Sequence, residues 1–179
     1  MPGIEGHGLQ MWVDHAAADR LVPPCSYHVD PRQVPEVRPT PGVRVRVLVG
    51  GFGGVEAPFV PVPRITLLDV HLAAGAALAV PAAPERLALV LVVAGSGETG
   101  PAREPASLGA HDAAVFAADG DHVALHAGPS GLHALVGHGV PLGGPTLFGG
   151  PFVMSSPEQL ADAARRHRAG KMGRLDPSF

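Results

Sequence analysis

The chain has 179 residues, a formal net charge of −3, 46% hydrophobic residues and only 16% charged ones. That suits one domain with an ordinary core, and the lack of a clustered basic excess excludes a surface that tracks phosphates. With 24 Gly and 20 Pro, a helical bundle is excluded and many short strands joined by tight turns are favoured.

In chain order, Gly8-Leu9-Gln10-Met11-Trp12-Val13 is predicted as a short strand, followed by one or two helical turns from Asp14 to Arg20. Leu21 to Pro41 carries Pro23, Pro24, Pro31, Pro35, Pro39 and Pro41 and reads as an extended connector anchored by Val22, Tyr27, Val29, Val34 and Val37. Val43-Arg44-Val45-Arg46-Val47 alternates strictly, the mark of a strand with one dry and one wet face. Gly50 to Gly54 is a glycine-rich turn; no lysine and no helix start follows it, so it is not a phosphate loop. Ile65 to Leu72 is the next strand, with Leu68, Val70 and Leu72 inward and Asp69 and His71 on the other face. Leu87 to Val93 is apolar at every position and reads as a fully covered central strand, with Gly95 to Gly100 turning the chain after it. Asp112–Phe116, His122–Ala127 and Leu132–Val136 are further strands, and Ala118 to Asp121 is a tight turn.

The one convincing helix runs from Pro157 to Ala169. Ser156 is its cap, Pro157 suits the first helical position, and Gln159 completes a capping box. Arg165, Arg166 and Arg168 suit the negative end of the helix dipole, and Gly170 is the expected left-handed stop. Short strands at regular spacing with a closing helix predict an all-β sandwich or small barrel.

Chemistry-bearing residues are few. Cys25 is the single cysteine, so no internal disulfide and no thiolate metal cluster can form, which suits a reducing compartment. Cys25 and His28 lie on a proline-rich extended segment and need not meet as a nucleophile and base. Ser96 lies between two glycines, but no helix follows to make a nucleophile elbow. Of the ten histidines, His122 and His126 share a strand face and are expected in solvent. His133 and His138 are expected at the surface around the last strand, and His7 in the N-terminal end. The segment before Gly8 has neither a basic nor an apolar run, and the longest apolar run, Leu87 to Ala94, is far short of the ~20 residues that cross a bilayer. A soluble, cytoplasmic protein is expected, in direct contact with neither membrane nor nucleic acid.

Several stretches, in order, resemble the C-terminal half of the pirins, which are bicupins. Gly8 to Val13 resembles the family's Gly-Leu-Gln-Leu-Trp-Val, and Leu21-Val22-Pro23-Pro24 with Tyr27, Val34 and Pro35 resembles its proline-rich connector. Leu68-Asp69-Val70, Asp119-Gly120-Asp121-His122-Val123, Pro141-Leu142-Gly143 and Gly150-Pro151-Phe152-Val153-Met154-Ser155 resemble later elements, the last the family's Gly-Pro-Phe-Val-Met signature. The resemblance implies a cupin-type, double-stranded β-helix barrel over 42–154. A strand and connector over 1–41 would precede it, with a helix and tail over 155–179.

The cupin pattern places two histidines one residue apart and then a glutamate after a glycine such as Gly75, because i and i+2 share a strand face and can grip one ion. Here Gly75 to Leu87 holds no histidine, and its only acid, Glu85, lies beside Arg86 on a proline turn. Apolar side chains are expected to fill that barrel. In pirins the metal, usually iron, belongs to the N-terminal cupin, and the resemblance implies that this sequence begins after it. No metal ligand, cofactor site or catalytic residue is therefore assigned. By the same resemblance, Gly8 to Val13 would be the last strand of the preceding half, leaving an apolar edge around Trp12 for a second subunit or another protein. A non-catalytic binding or regulatory module is the expected role. The alternative is a small-molecule enzyme of the quercetin 2,3-dioxygenase type, or a metal-free cyclase or isomerase, working on a small aromatic ligand.

Overall fold

The computed structural model describes residues 8–173. They form two compact units: Pro24–Pro141, and a second made of the residues before Pro24 together with those after Pro141.

The first unit is all strand and turn. β1 (Glu36–Val37), β2 (Val43–Val49) and the small hairpin β3 (Gly51–Phe52) with β4 (Val55–Glu56) come first, then β5 (Ile65–Leu72) and β6 (Ala77–Pro81). The long β7 (Leu87–Thr99), the short β8 (Ala106–Gly109) and β9 (Ala113–Phe116), and the long β10 (His122–Gly139) follow. The sheet runs β1-β2-β5-β10-β7-β8, with β6 also paired to β10 and β9 to β7.

β7 and β10 carry the architecture because each pairs with different strands along its two halves. The Leu132–Gly139 half of β10 lies between β5 and the Leu87–Gly95 half of β7, while its His122–Ala127 half pairs with β6 and with Gly97–Thr99. Long strands bend at bulges, and the register of the β7–β10 pair shifts between Ala127 and Leu132. Gly95 and Gly131 face each other near this bend with φ of 80° and 77°. A Cβ on Gly95 would lie 2.2 Å from the Gly131 carbonyl oxygen, so only glycine allows both the backbone shape and the approach. The glycines from Gly95 therefore do not turn the chain, as their density suggests; β7 continues to Thr99, and the turn is at Gly100 to Glu104.

The predicted alternation in β2 and β5 is present: Val43, Val45, Val47, Leu68, Val70 and Leu72 are all buried. They join Val80, Val90, Val92, Val123, Leu125 and Val136 in one apolar cluster. At about 25 cal/mol per Å² of apolar surface removed from water, this cluster is the main source of stability. β7 is central but not covered on both faces: Ala88, Val90 and Val92 are buried, while Leu89, Leu91 and Val93 are half-covered and Leu87 is exposed. Strand pairing places alternate residues on opposite faces however apolar both are. Asp112 is a turn residue, and the two strands expected over His122–Val136 are one continuous β10.

In the second unit, residues 8–13 form no strand. Among the described residues the segment pairs with none of the strands, and an isolated strand is not stable in water. Two successive turns, closed by Asp19 N–H to the Ala16 carbonyl and Val22 N–H to the Asp19 carbonyl, stand where one or two helical turns were expected. β11 (Leu147–Gly149) and β12 (Phe152–Met154) make a hairpin that leads into α1 (Pro157–Arg168). Ser156 Oγ accepts the Gln159 N–H at 3.3 Å, and the Gln159 side chain accepts the Ser155 N–H at 2.9 Å. Ala163 is the buried residue of the helix, and Gly170 (φ 66°) ends it.

Candidate functional site

The barrel interior is hydrocarbon. Among the described residues the buried polar side chains are Thr66, Asp69 and Thr99. Thr99 donates its hydroxyl to the Ala124 carbonyl at 2.7 Å, and Asp69 lies on the outer face of β5. The segment from Gly75 to Leu87 forms β6 and a turn; Val80, 1% exposed, projects into the core and Glu85 is exposed. An iron of the kind the pirin resemblance implies needs imidazole or carboxylate donors, and the valines and leucines here offer none. The described residues therefore do not fit that metal inside the barrel.

Among the described residues, three groups with metal-ligand chemistry, Asp69, His71 and His133, converge outside it. On β5, Asp69 and His71 stand two residues apart and share the outward face. The register of β10 sets His133 directly opposite His71, and directly opposed side chains are in contact distance. The two imidazoles stack with ring centres 3.8 Å apart and planes 17° from parallel. Asp69 Oδ1 lies 2.7 Å from His133 Nε2 and 3.3 Å from His71 Nε2. From β2, Arg46 places Nη1 3.4 Å from Asp69 Oδ2 and donates Nη2 to the Pro31 carbonyl at 3.2 Å. Burial pushes the His71 pKa below its ordinary value; the His133 and Arg44 charges add to this, and the Asp69 carboxylate opposes it. An open groove of about 640 Å³ adjoins His71, with Arg38, Pro41, Arg44 and Ala73 in its wall.

The other candidates stay apart. Cys25 is exposed and lies 3.6 Å from the Tyr27 hydroxyl; Tyr27 stacks on Phe59 at 4.8 Å. Ser96 is inside β7, packed against Gly128. His122 and His126 are exposed while Val123 and Leu125 are buried, as the alternation predicts. His138 is not a free surface group: its Nδ1 is 3.1 Å from Arg86 Nη1. Its pKa is lowered, by burial first and then by the Arg86 charge. His133 lies at the surface as expected, 31% exposed, and is also the third member of the Asp69 cluster. The i, i+2 pattern of Asp69 and His71 was visible in the sequence; the register that brings His133 to them, 62 positions after His71, was not. His7 lies outside the described residues.

The Pirin C-terminal cupin domain family matches residues 67–173. A pirin-like protein of Arabidopsis thaliana is 30% identical over 86% of this chain and 50% of its own length. A putative quercetin 2,3-dioxygenase of Pseudomonas aeruginosa is 30% identical over 93% of this chain and 60% of its own length. The chain thus spans about half the length of these relatives. Among solved structures, a quercetin 2,3-dioxygenase from Acinetobacter baumannii superposes with a TM-score of 0.82 at 21% identity, covering 92% of this chain and 56% of that one; it shares the cupin fold. With more than half of its residues matched to that domain, the chain belongs to the pirin family.

Proposed function

We propose that this pirin-type cupin works by binding, as a non-catalytic or regulatory module, and that its barrel carries no chemistry. The observation behind this reading is the interior itself: Val45, Val47, Leu68, Val70, Val90, Leu125 and Val136 are each fully buried there. A catalytic cupin needs donor atoms and space for substrate in that position. The contact surface in this reading is the segment around Trp12, where Leu9, Met11, Trp12 and Val13 are exposed together, with Trp12 at 80%. A second copy of the chain or another protein would cover it. Among the described residues no helix is long and apolar enough to cross a membrane; with Cys25 free and exposed, the proposed compartment is the cytoplasm.

The relatives named as quercetin 2,3-dioxygenases favour a second reading, an enzyme acting on a small aromatic molecule, with or without a metal. The purified chain, supplied with ferrous iron and quercetin in air, separates the two. The binding reading expects flavonol absorbance and dissolved oxygen to fall no faster than without protein. Turnover proportional to chain concentration would replace it with the second.

A further inference from the structure

We propose that Asp69, His71 and His133 form a site for a divalent transition-metal ion of the zinc class on the outer face of the barrel sheet. Two imidazoles and one carboxylate are a donor set that binds such ions and leaves positions for water. The ligand atoms already lie within 4.8 Å of one another, and bonds of about 2.0–2.1 Å in a tetrahedral site place them roughly 3.4 Å apart. Of the two distances to Asp69 Oδ1, 3.3 Å matches that spacing and 2.7 Å must open by about 0.7 Å. What must change is the ring stack, and the proton that His133 Nε2 shares with Asp69 Oδ1 at 2.7 Å, which must move to Nδ1 or to solvent before Nε2 can ligate. Parallel imidazoles direct their lone pairs side by side, so one ring must tilt for both Nε2 atoms to meet an ion.

The surroundings permit this. His71 and His133 side chains are 33% and 31% exposed, enough for an ion to enter and keep water ligands. Arg46 holds the carboxylate through Oδ2, which leaves Oδ1 turned to the imidazoles; outer partners of this kind orient metal ligands. The nearby Arg44 is drawn toward Glu36, 3.4 Å away. Both arginines still oppose a cation, so moderate affinity is expected. The site uses the opposite face of β5 from Leu68 and Val70, and so is independent of what the barrel interior does.

The test is a zinc titration of the whole chain against a chromophoric chelator near pH 7.5. One zinc per chain is expected, with affinity falling about tenfold or more in His71→Ala, in His133→Ala and in the volume-conserving Asp69→Asn. The control His126→Ala should bind as the unaltered chain does. A chain that takes no zinc, or whose affinity survives the loss of His71 and His133, overturns the proposal. Should the variants fail to fold, imidazole ¹⁵N spectra of the unaltered chain decide. Two ring nitrogens moving together up to one equivalent, in the pair of histidines on adjoining strands, supports the site; shifts confined to His122 and His126, or none, overturn it.

Discussion

Arg20 grips Asp14 with two parallel bonds, Nε to Oδ1 at 3.1 Å and Nη2 to Oδ2 at 2.6 Å. The arginine side chain is 3% exposed. Nε also reaches the His15 carbonyl and Nη2 the Thr146 Oγ1, while Nη1 donates to the Pro145 carbonyl and Ser155 Oγ. One side chain thereby ties the segment after Trp12 to the loop and hairpin end before α1. Removing Arg20 takes away these bonds, but Asp14 is 28% exposed and water takes over part of its place, so the cost is about 1 kcal/mol. Arg20→Met should therefore speed amide exchange across 145–156, and Arg20→Lys should rescue it poorly because lysine lacks the fork. Unchanged exchange in both variants would remove this clamp from the account.

The same pair sets an acid limit. The hydrogen bond from Arg20 holds the Asp14 carboxyl below its ordinary value of 3.8, against a smaller opposing effect of burial. A lowered acid stabilises the fold above its unfolded pKa, and that contribution is lost as pH falls through the folded one. The linkage of 14–20 to 145–155 should hold from neutral pH to about 4 and loosen below it, as followed by the same exchange measurement.

His138 gives a second pH dependence, at higher pH. Its proton is disfavoured in the folded chain by burial and by Arg86. A histidine with lowered pKa contributes stability that is complete above its ordinary value of 6.5 and is lost as pH falls through the lowered one. Melting temperature should drop from pH 6.5 downward in the unaltered chain and drop less in His138→Gln. Equal slopes would show that other groups govern this range.

Gly95→Ala should damage the bend where β7 and β10 shift register. The new Cβ would meet the Gly131 carbonyl oxygen at 2.2 Å on a backbone already at φ 80°. Both penalties act together, so urea unfolding should show a loss of roughly 2–4 kcal/mol. A loss below 1 kcal/mol would mean the bend relaxes freely.

Trp12 is the single tryptophan and reports on its own surroundings. If a second copy covers this segment, Trp emission should shift to the blue over the same concentration range in which sedimentation shows a dimer. Trp12→Ser should sediment as a monomer throughout. Emission independent of concentration, with a monomer at all concentrations, would leave only a different protein as its partner.

Local patterns carried much of this structure. Alternation in Val43–Val47 and Ile65–Leu72 places the core correctly, and Ser156, Gln159 and Gly170 bracket the helix as capping chemistry requires. What was not legible depended on distant partners. Gly95 to Gly100 has turn composition, but its glycines serve a close approach to Gly131, which local spacing cannot reveal. Gly8 to Val13 has strand composition, yet a strand exists only where an edge is available to it. The barrel's apolar interior followed from the missing histidines after Gly75. The Asp69 cluster did not, because β-register joins His71 to His133 across most of the unit, and no short-range pattern encodes that pairing.

The claim that the interior of this barrel is closed hydrocarbon, with metal chemistry only outside it, is tested most directly by anomalous diffraction from crystals soaked in ferrous and in zinc salts. The account predicts no peak among Val45, Val70, Val90 and Leu125, and a zinc peak between His71, His133 and Asp69. A crystal with no peak at either place would keep the closed interior and remove the outer site. An ion held inside the barrel by side chains of the surrounding strands would contradict the central claim.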